Sequence, residues 1–284
     1  MERVGVVGCG LMGSGIAEVA ARAGAEVTVI ERDDAALTAG HERVESSLTR
    51  AIGSGKMTEV EVNRICKQLS YSTEFSDLAD CDLIIEAVAE NEVIKLEVFR
   101  LIDASVKDPH AILATNTSSI PIIKLATVTG RPEQVIGMHF FNPVPVLRLV
   151  ELISSLLTSP ETAERASAYV SESLHKKVIT SPDRAGFVVN ALLIPYLLSA
   201  IRMLESGFAS AEGIDIGMVV GCAHPMGPLA LADLIGLDTT LAVAESLYAE
   251  FKEPHLAPPP LLSRMTQAGL MGRKSGQGFY SYRK

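Results

Sequence analysis

Gly8-Cys9-Gly10-Leu11-Met12-Gly13 spaces three glycines as G-x-G-x-x-G, and an acid, Glu31, follows 18 residues after the last. Such a loop suits the diphosphate of a dinucleotide. Gly8 permits a tight turn, Gly10 lets backbone approach the diphosphate, and Gly13 lets helix and strand pack closely. Leu11 and Met12 complete the cofactor loop, and the helix that opens there turns unpaired N–H groups toward the phosphates. An acid roughly 20 residues further on binds an adenosine ribose, so Glu31 favours NAD over NADP. Arg32 beside it weakens that exclusion without reversing it. The motif is informative because an apolar run, 3–7, precedes it and an amphipathic stretch, 11–23, follows. A structural glycine turn with a surface Glu is the bland alternative. Cys9 reads as a small filler rather than a redox thiol.

A second set lies near the middle of the chain. His139 stands in Met138-His139-Phe140-Phe141-Asn142-Pro143, and Glu151 interrupts the apolar run 147–153. A buried carboxylate needs a partner. If the two runs form a hairpin about Pro145, positions 139 and 151 face each other on one side of the sheet. A carboxylate then orients the imidazole and stabilises the cation formed on proton uptake, which makes a general base. On the residues alone, a satisfied core histidine remains equally open. Asn116-Thr117-Ser118-Ser119 follows the run 111–114, beyond the carboxyl end of a strand, where open α/β sheets bind ligands. Ser119 also suits a helix N-cap. Asn190 sits in an apolar stretch, as a core hydrogen-bonding group or a substrate anchor.

These residues need a sheet to hold them. Apolar runs at 4–7, 27–30, 83–87, 112–115 and 135–140 alternate with amphipathic stretches at 11–23, 34–53, 58–68 and 92–106. That alternation predicts βαβ units and a Rossmann-type doubly wound parallel sheet of the α/β class. The segment 34–70 is too long for one crossover helix, and Gly53-Ser54-Gly55 breaks it, so an inserted helical hairpin is expected. Beyond Pro182 the pattern turns helical, with no strand until Gly278-Phe279-Tyr280. The expected division is a cofactor domain over 1–182 and an all-helical domain over 183–284.

The 284 residues carry 25 Lys+Arg against 34 Asp+Glu, a net charge of −9, which argues against a nucleic-acid surface. Residues 41–70 hold five Lys/Arg and four Asp/Glu, a weak basic patch in an acidic whole. Four scattered cysteines have no zinc spacing, so no metal site is expected and a reduced, cytoplasmic setting fits. The first residues read as a strand, not a signal peptide. The 17-residue uncharged run 185–201 is short for a bilayer span and reads as a buried helix.

Taken together the motifs resemble the 3-hydroxyacyl-CoA dehydrogenases over essentially the whole chain. The resemblance runs through the glycine loop, Glu86-Ala87-Val88-Ala89-Glu90-Asn91, Asn116-Thr117-Ser118-Ser119 and His139-Phe140-Phe141-Asn142-Pro143-Val144-Pro145. It continues through Val150-Glu151, Pro225-Met226-Gly227-Pro228, Gly236-Leu237-Asp238 and Gly276-Gln277-Gly278-Phe279-Tyr280. It implies an NAD-dependent dehydrogenase interconverting a short (S)-3-hydroxyacyl-CoA and its 3-oxoacyl-CoA. By that resemblance His139 is the base and Glu151 its partner, while Ser118 and Asn190 hold the substrate oxygen. Glu90, Lys95, Asn116, Ser118, Asn142 and Lys274 fall to the cofactor, and Ser47, Arg50, Lys56 and Ser118 to coenzyme A. A homodimer through the helical domain is implied, with no membrane partner. Two positions depart from the family pattern: Ala185 replaces its usual Pro and Ala191 its usual Arg. The rival readings are another β-hydroxyacid dehydrogenase, which would need a Lys base, and a non-catalytic NAD(H)-binding redox sensor.

Overall fold

Short Val- and Ile-rich runs form strands because branched side chains pack well on a pleated surface. The computed structural model describes residues 1–282, which fall into two compact units that divide between Arg184 and Ala185. The first unit holds eight strands: β1 (Arg3–Val7), β2 (Glu26–Ile30), β3 (Leu69–Ser72), β4 (Leu83–Glu86), β5 (Ile112–Thr115), β6 (Val135–Phe140), β7 (Leu149–Ser154) and β8 (Lys177–Pro182). They form one sheet in the order β3-β2-β1-β4-β5-β6-β7-β8. Every pairing is parallel except β6 with β7. The central strands β4, β5 and β6 are buried along their whole length, as a sheet covered on both faces requires.

The covering helices are α1 (Leu11–Arg22), α2 (Asp34–Gly53), α3 (Glu59–Lys67), α4 (Glu92–Ser105), α5 (Ile122–Ala126) and α6 (Pro160–Ala168). The inserted hairpin is α2 and α3. Gly55, at φ +70°, makes the break, and Thr58 with Glu61 forms a reciprocal capping box that starts α3. Two strands, β3 and β8, are additions to the sequence reading. Both are sheet-edge strands without clean alternation, and pairing with a neighbour defines them.

The second unit comprises α7 (Val189–Glu205), α8 (Ala211–Gly221), α9 (Pro228–Ile235), α10 (Leu237–Phe251) and α11 (Pro260–Gln267). The uncharged run does not form helix from its start. Gly186 and Phe187 take left-handed backbone conformations, so α7 begins at Val189; it then continues past Pro195 and leaves Leu192 exposed. Among the described residues no helix is long and apolar enough to cross a membrane. The expected strand at Gly278-Phe279-Tyr280 is instead a turn with isolated bridges at Gln277. Buried Asp233 holds it, accepting from Phe279 N, Tyr280 N and the Tyr282 hydroxyl at 3.0 Å each. Asp233→Asn halves that acceptor set and is expected to cost about 2 kcal/mol. A urea midpoint unchanged from wild type would contradict this role.

Candidate active site

The strand order reverses beside β1, where β4 rather than β2 continues the sheet, and open α/β sheets bind ligands at such a switch point. The glycine loop sits there, and each glycine has its own reason. Gly8 has φ +91°, and a Cβ on it would lie 2.8 Å from the Ala87 carbonyl oxygen that follows β4. A Cβ on Gly13 would lie 1.8 Å from the Gly8 carbonyl oxygen, so only glycine lets α1 start against the strand. Gly10 is different: a Cβ there meets nothing within 4 Å. Gly10 is also the N-cap of α1 and supplies no capping side chain, so the first helical N–H groups face an open cradle suited to a diphosphate. Leu11 is exposed at its rim and Met12 packs against the core.

Glu31, just beyond β2, accepts from Cys9 N at 2.7 Å and from Arg32 N at 3.1 Å. These bonds fix the carboxylate beside the loop. The Arg32 side chain turns onto Asp33. Burial, reinforced by Glu31, pushes the Cys9 thiol up to about 12, so it stays protonated and serves as filler. Gly40 and Arg43 were not singled out by sequence, yet both serve this loop. A Cβ on Gly40 would meet Cys9 at 2.6 Å, and Arg43 donates to the Cys9 carbonyl. Their signal is spacing along α2, visible only once α2 is known to cross the loop.

Past β4 and β5 the polar residues form one network. Glu86, at 0% exposure, accepts from Lys95 Nζ at 2.6 Å, Thr115 Oγ1 at 2.7 Å and Val88 N at 2.7 Å. Lys95, 1% exposed, also reaches Glu90 at 3.3 Å. Glu90 gathers the next loop, accepting from Thr117 Oγ1 at 2.5 Å, Ser118 N at 2.9 Å and Ser119 Oγ at 2.9 Å. Burial works to raise the Glu90 carboxyl, but Lys95 and those hydrogen bonds outweigh it and hold the group below its ordinary range. Asn116 accepts from Phe140 N at 2.8 Å and so ties this loop to β6. Glu86 and Thr115 hold this network together, and sequence reasoning did not single them out. A single acid in a four-residue apolar strand was the available signal.

The hairpin between β6 and β7 has the register the midpoint at Pro145 requires, with His139 opposite Glu151. His139 Nδ1 lies 2.7 Å from Glu151 Oε2, and Glu151 is 0% exposed. An ionised carboxylate only accepts, so the pair places a proton on Nδ1 and directs proton uptake to Nε2. Phe141 packs against the imidazole at 4.7 Å between ring centroids.

Ser47 and Arg50 on α2 line a groove of about 510 Å³ with Ser14, Arg43, Asn142 and Pro145. Lys56 lies in the turn after α2, outside the residues lining that groove. Asn190 and Lys274 belong to the second unit. Asn190 is half-buried in the first turn of α7, and Lys274 pairs with Asp238.

An open glycine cradle at the switch point, an acid bonded to that loop and a histidine paired with a buried carboxylate are the parts an NAD-binding dehydrogenase needs. The family model for the NAD-binding domain of 3-hydroxyacyl-CoA dehydrogenase matches residues 3–184, and that for its C-terminal domain matches 186–282. The chain therefore belongs to the 3-hydroxyacyl-CoA dehydrogenase family. It is 56% identical over 282 residues, 99% of each chain, to the 3-hydroxybutyryl-CoA dehydrogenase of Mycobacterium tuberculosis. The crystal structure of FadB2 from that organism matches at a TM-score of 0.99 and 56% identity, covering 100% of this chain and 99% of that one. An (S)-3-hydroxybutyryl-CoA dehydrogenase structure from Ralstonia eutropha matches at 0.95 and 47% identity, with 100% of both chains covered.

The glycine geometry gives a direct expectation. Gly13→Ala must displace the Gly8 carbonyl, and NADH affinity should fall on the order of tenfold, or about 1.4 kcal/mol. Unaltered affinity in a fluorescence titration would show that the close approach is not needed.

Proposed function

We propose that the protein oxidises a short (S)-3-hydroxyacyl-CoA, represented by (S)-3-hydroxybutyryl-CoA, to the 3-oxoacyl-CoA and catalyses the reverse reaction. The observation that carries this reading is the 2.7 Å His139–Glu151 pair in the sheet that also carries the glycine cradle. NAD, when bound, supplies the hydride acceptor. Gly8, Gly10, Leu11, Met12 and Gly13 cradle its diphosphate, and Glu31 takes the adenosine ribose. Glu90, Lys95, Asn116, Asn142 and Lys274 serve the nicotinamide half, with the buried Lys95 acting by holding Glu90 in place.

His139 takes the hydroxyl proton while Glu151 keeps the ring oriented and stabilises its cation. Ser118, held at its backbone by Glu90, and Asn190 orient the substrate oxygen. Ser47, Arg50 and Lys56 contact coenzyme A. For the first two, support comes from the groove between α2 and the loop after β6. Two copies pair through the second unit, a reading supported by apolar side chains exposed there, Leu192, Phe208, Ile216 and Val220. The reading of a reduced, cytoplasmic setting rests on four free cysteines.

General acid–base work of this kind contributes about 10²–10⁴ in rate. His139→Ala should lose acetoacetyl-CoA reduction by at least that factor, followed by NADH absorbance, with NADH binding near normal. Turnover close to wild type would remove His139 from the mechanism.

A further inference from the structure

A second cavity, of about 330 Å³, lies farther along α1 than the groove just described, and Pro145 borders both. Its walls carry Arg22 from the last turn of α1, Arg148 from the chain entering β7, and His175 and Lys176 from the loop before β8. These four basic side chains converge in a protein whose net charge is −9. The neighbouring carboxylate is Glu18, buried and ion-paired with Arg22.

Among the described residues no carboxylate forms an ion pair with Arg148, His175 or Lys176. Lys176 donates to the Val144 carbonyl at 2.7 Å and the Leu147 carbonyl at 2.6 Å, so its ammonium meets dipoles and not an anion. Burial, with Arg22 and Arg148 nearby, lowers its affinity for a proton. Arg22 Nε is buried and has no acceptor among the described residues. His175 is held at φ +52°, a left-handed conformation that non-glycine residues adopt at a cost when the surroundings impose it. Like charges brought together by separate elements repel unless something anionic joins them.

We propose that this cavity is a binding site for a phosphate or diphosphate group, separate from the glycine loop. Arg148 and Arg22 supply planar donors suited to phosphate oxygens, and His175 closes the side. The Lys176 ammonium pins the loop 144–147, whose Pro145 also borders the groove that holds Ser47 and Arg50. An anion seated here therefore bears on the wall of that groove. The group's source is either the nucleotide end of a coenzyme A thioester or a free phosphorylated small molecule.

The test is calorimetric titration of the full chain with inorganic phosphate and with pyrophosphate at low ionic strength, with excess NADH filling the glycine loop. Arg148→Glu and His175→Asn are the variants, because both positions are exposed and Asn tolerates a left-handed backbone. One saturable site per wild-type chain is expected, weakened at least about tenfold by Arg148→Glu, with NADH affinity and the unfolding midpoint unchanged. Absence of saturable binding, or equal affinity in Arg148→Glu, overturns the site. Acetoacetyl-CoA kinetics then identify the source. A raised KM in Arg148→Glu with competition by pyrophosphate assigns the coenzyme end, whereas an unchanged KM assigns a free ligand. The calorimetric result is independent of turnover, so failure of the proposed reaction and failure of this site are read separately.

Discussion

Glu151 has no exposed surface, and a carboxylate in that position costs several kcal/mol unless charge and hydrogen bonds compensate it. His139 meets it at 2.7 Å across the antiparallel ladder between β6 and β7. That ladder explains a departure in an otherwise parallel sheet. Directly opposed residues twelve apart in sequence require a hairpin, because a parallel neighbour would need a long crossover. Register matters as much as direction: a slip of one residue would turn His139 and Glu151 to opposite faces.

The same logic repeats nearer the glycine loop. Glu86, Lys95 and Glu90 form a chain of alternating charge whose first two members are buried, and its exposed outer member organises Thr117, Ser118 and Ser119. Removing Lys95 would strand Glu86 without its cation, so the network stands or falls together. Its geometry links three strand ends: β4 supplies Glu86, β5 leads into the serine loop, and Asn116 ties that loop to Phe140 of β6. Positions of polar groups at the carboxyl edge are thus set by buried ion pairs and backbone donors, whereas loop sequence alone would leave them free.

Much of this was legible from the chain. Glycine spacing marked the cradle because Gly8 and Gly13 answer steric demands that no side chain can meet. The His139–Glu151 pairing followed from the isolation of one acid in an apolar run and the midpoint at Pro145. What escaped was structure defined by partners. Leu69–Ser72 and Lys177–Pro182 become strands by pairing at sheet edges, and Gly278-Phe279-Tyr280 is a turn because Asp233 binds its backbone. Glu86 read as part of a strand, since nothing local announces that Lys95 folds back onto it. Ser47 and Arg50 reach a groove, while Lys56, six residues beyond Arg50, leaves the helix and does not line it.

Replacing Glu151 by Gln keeps the shape and a hydrogen-bonding group beside His139 but removes the charge that favours the imidazolium. Steady-state reduction of acetoacetyl-CoA by that variant, with NADH binding measured in parallel, separates a catalytic pair from a merely structural one. The expected result is a loss of kcat of roughly 10²-fold or more with NADH affinity retained. A folded Glu151→Gln protein with kcat within about twofold of wild type, equivalent to less than about 0.5 kcal/mol, would contradict the account.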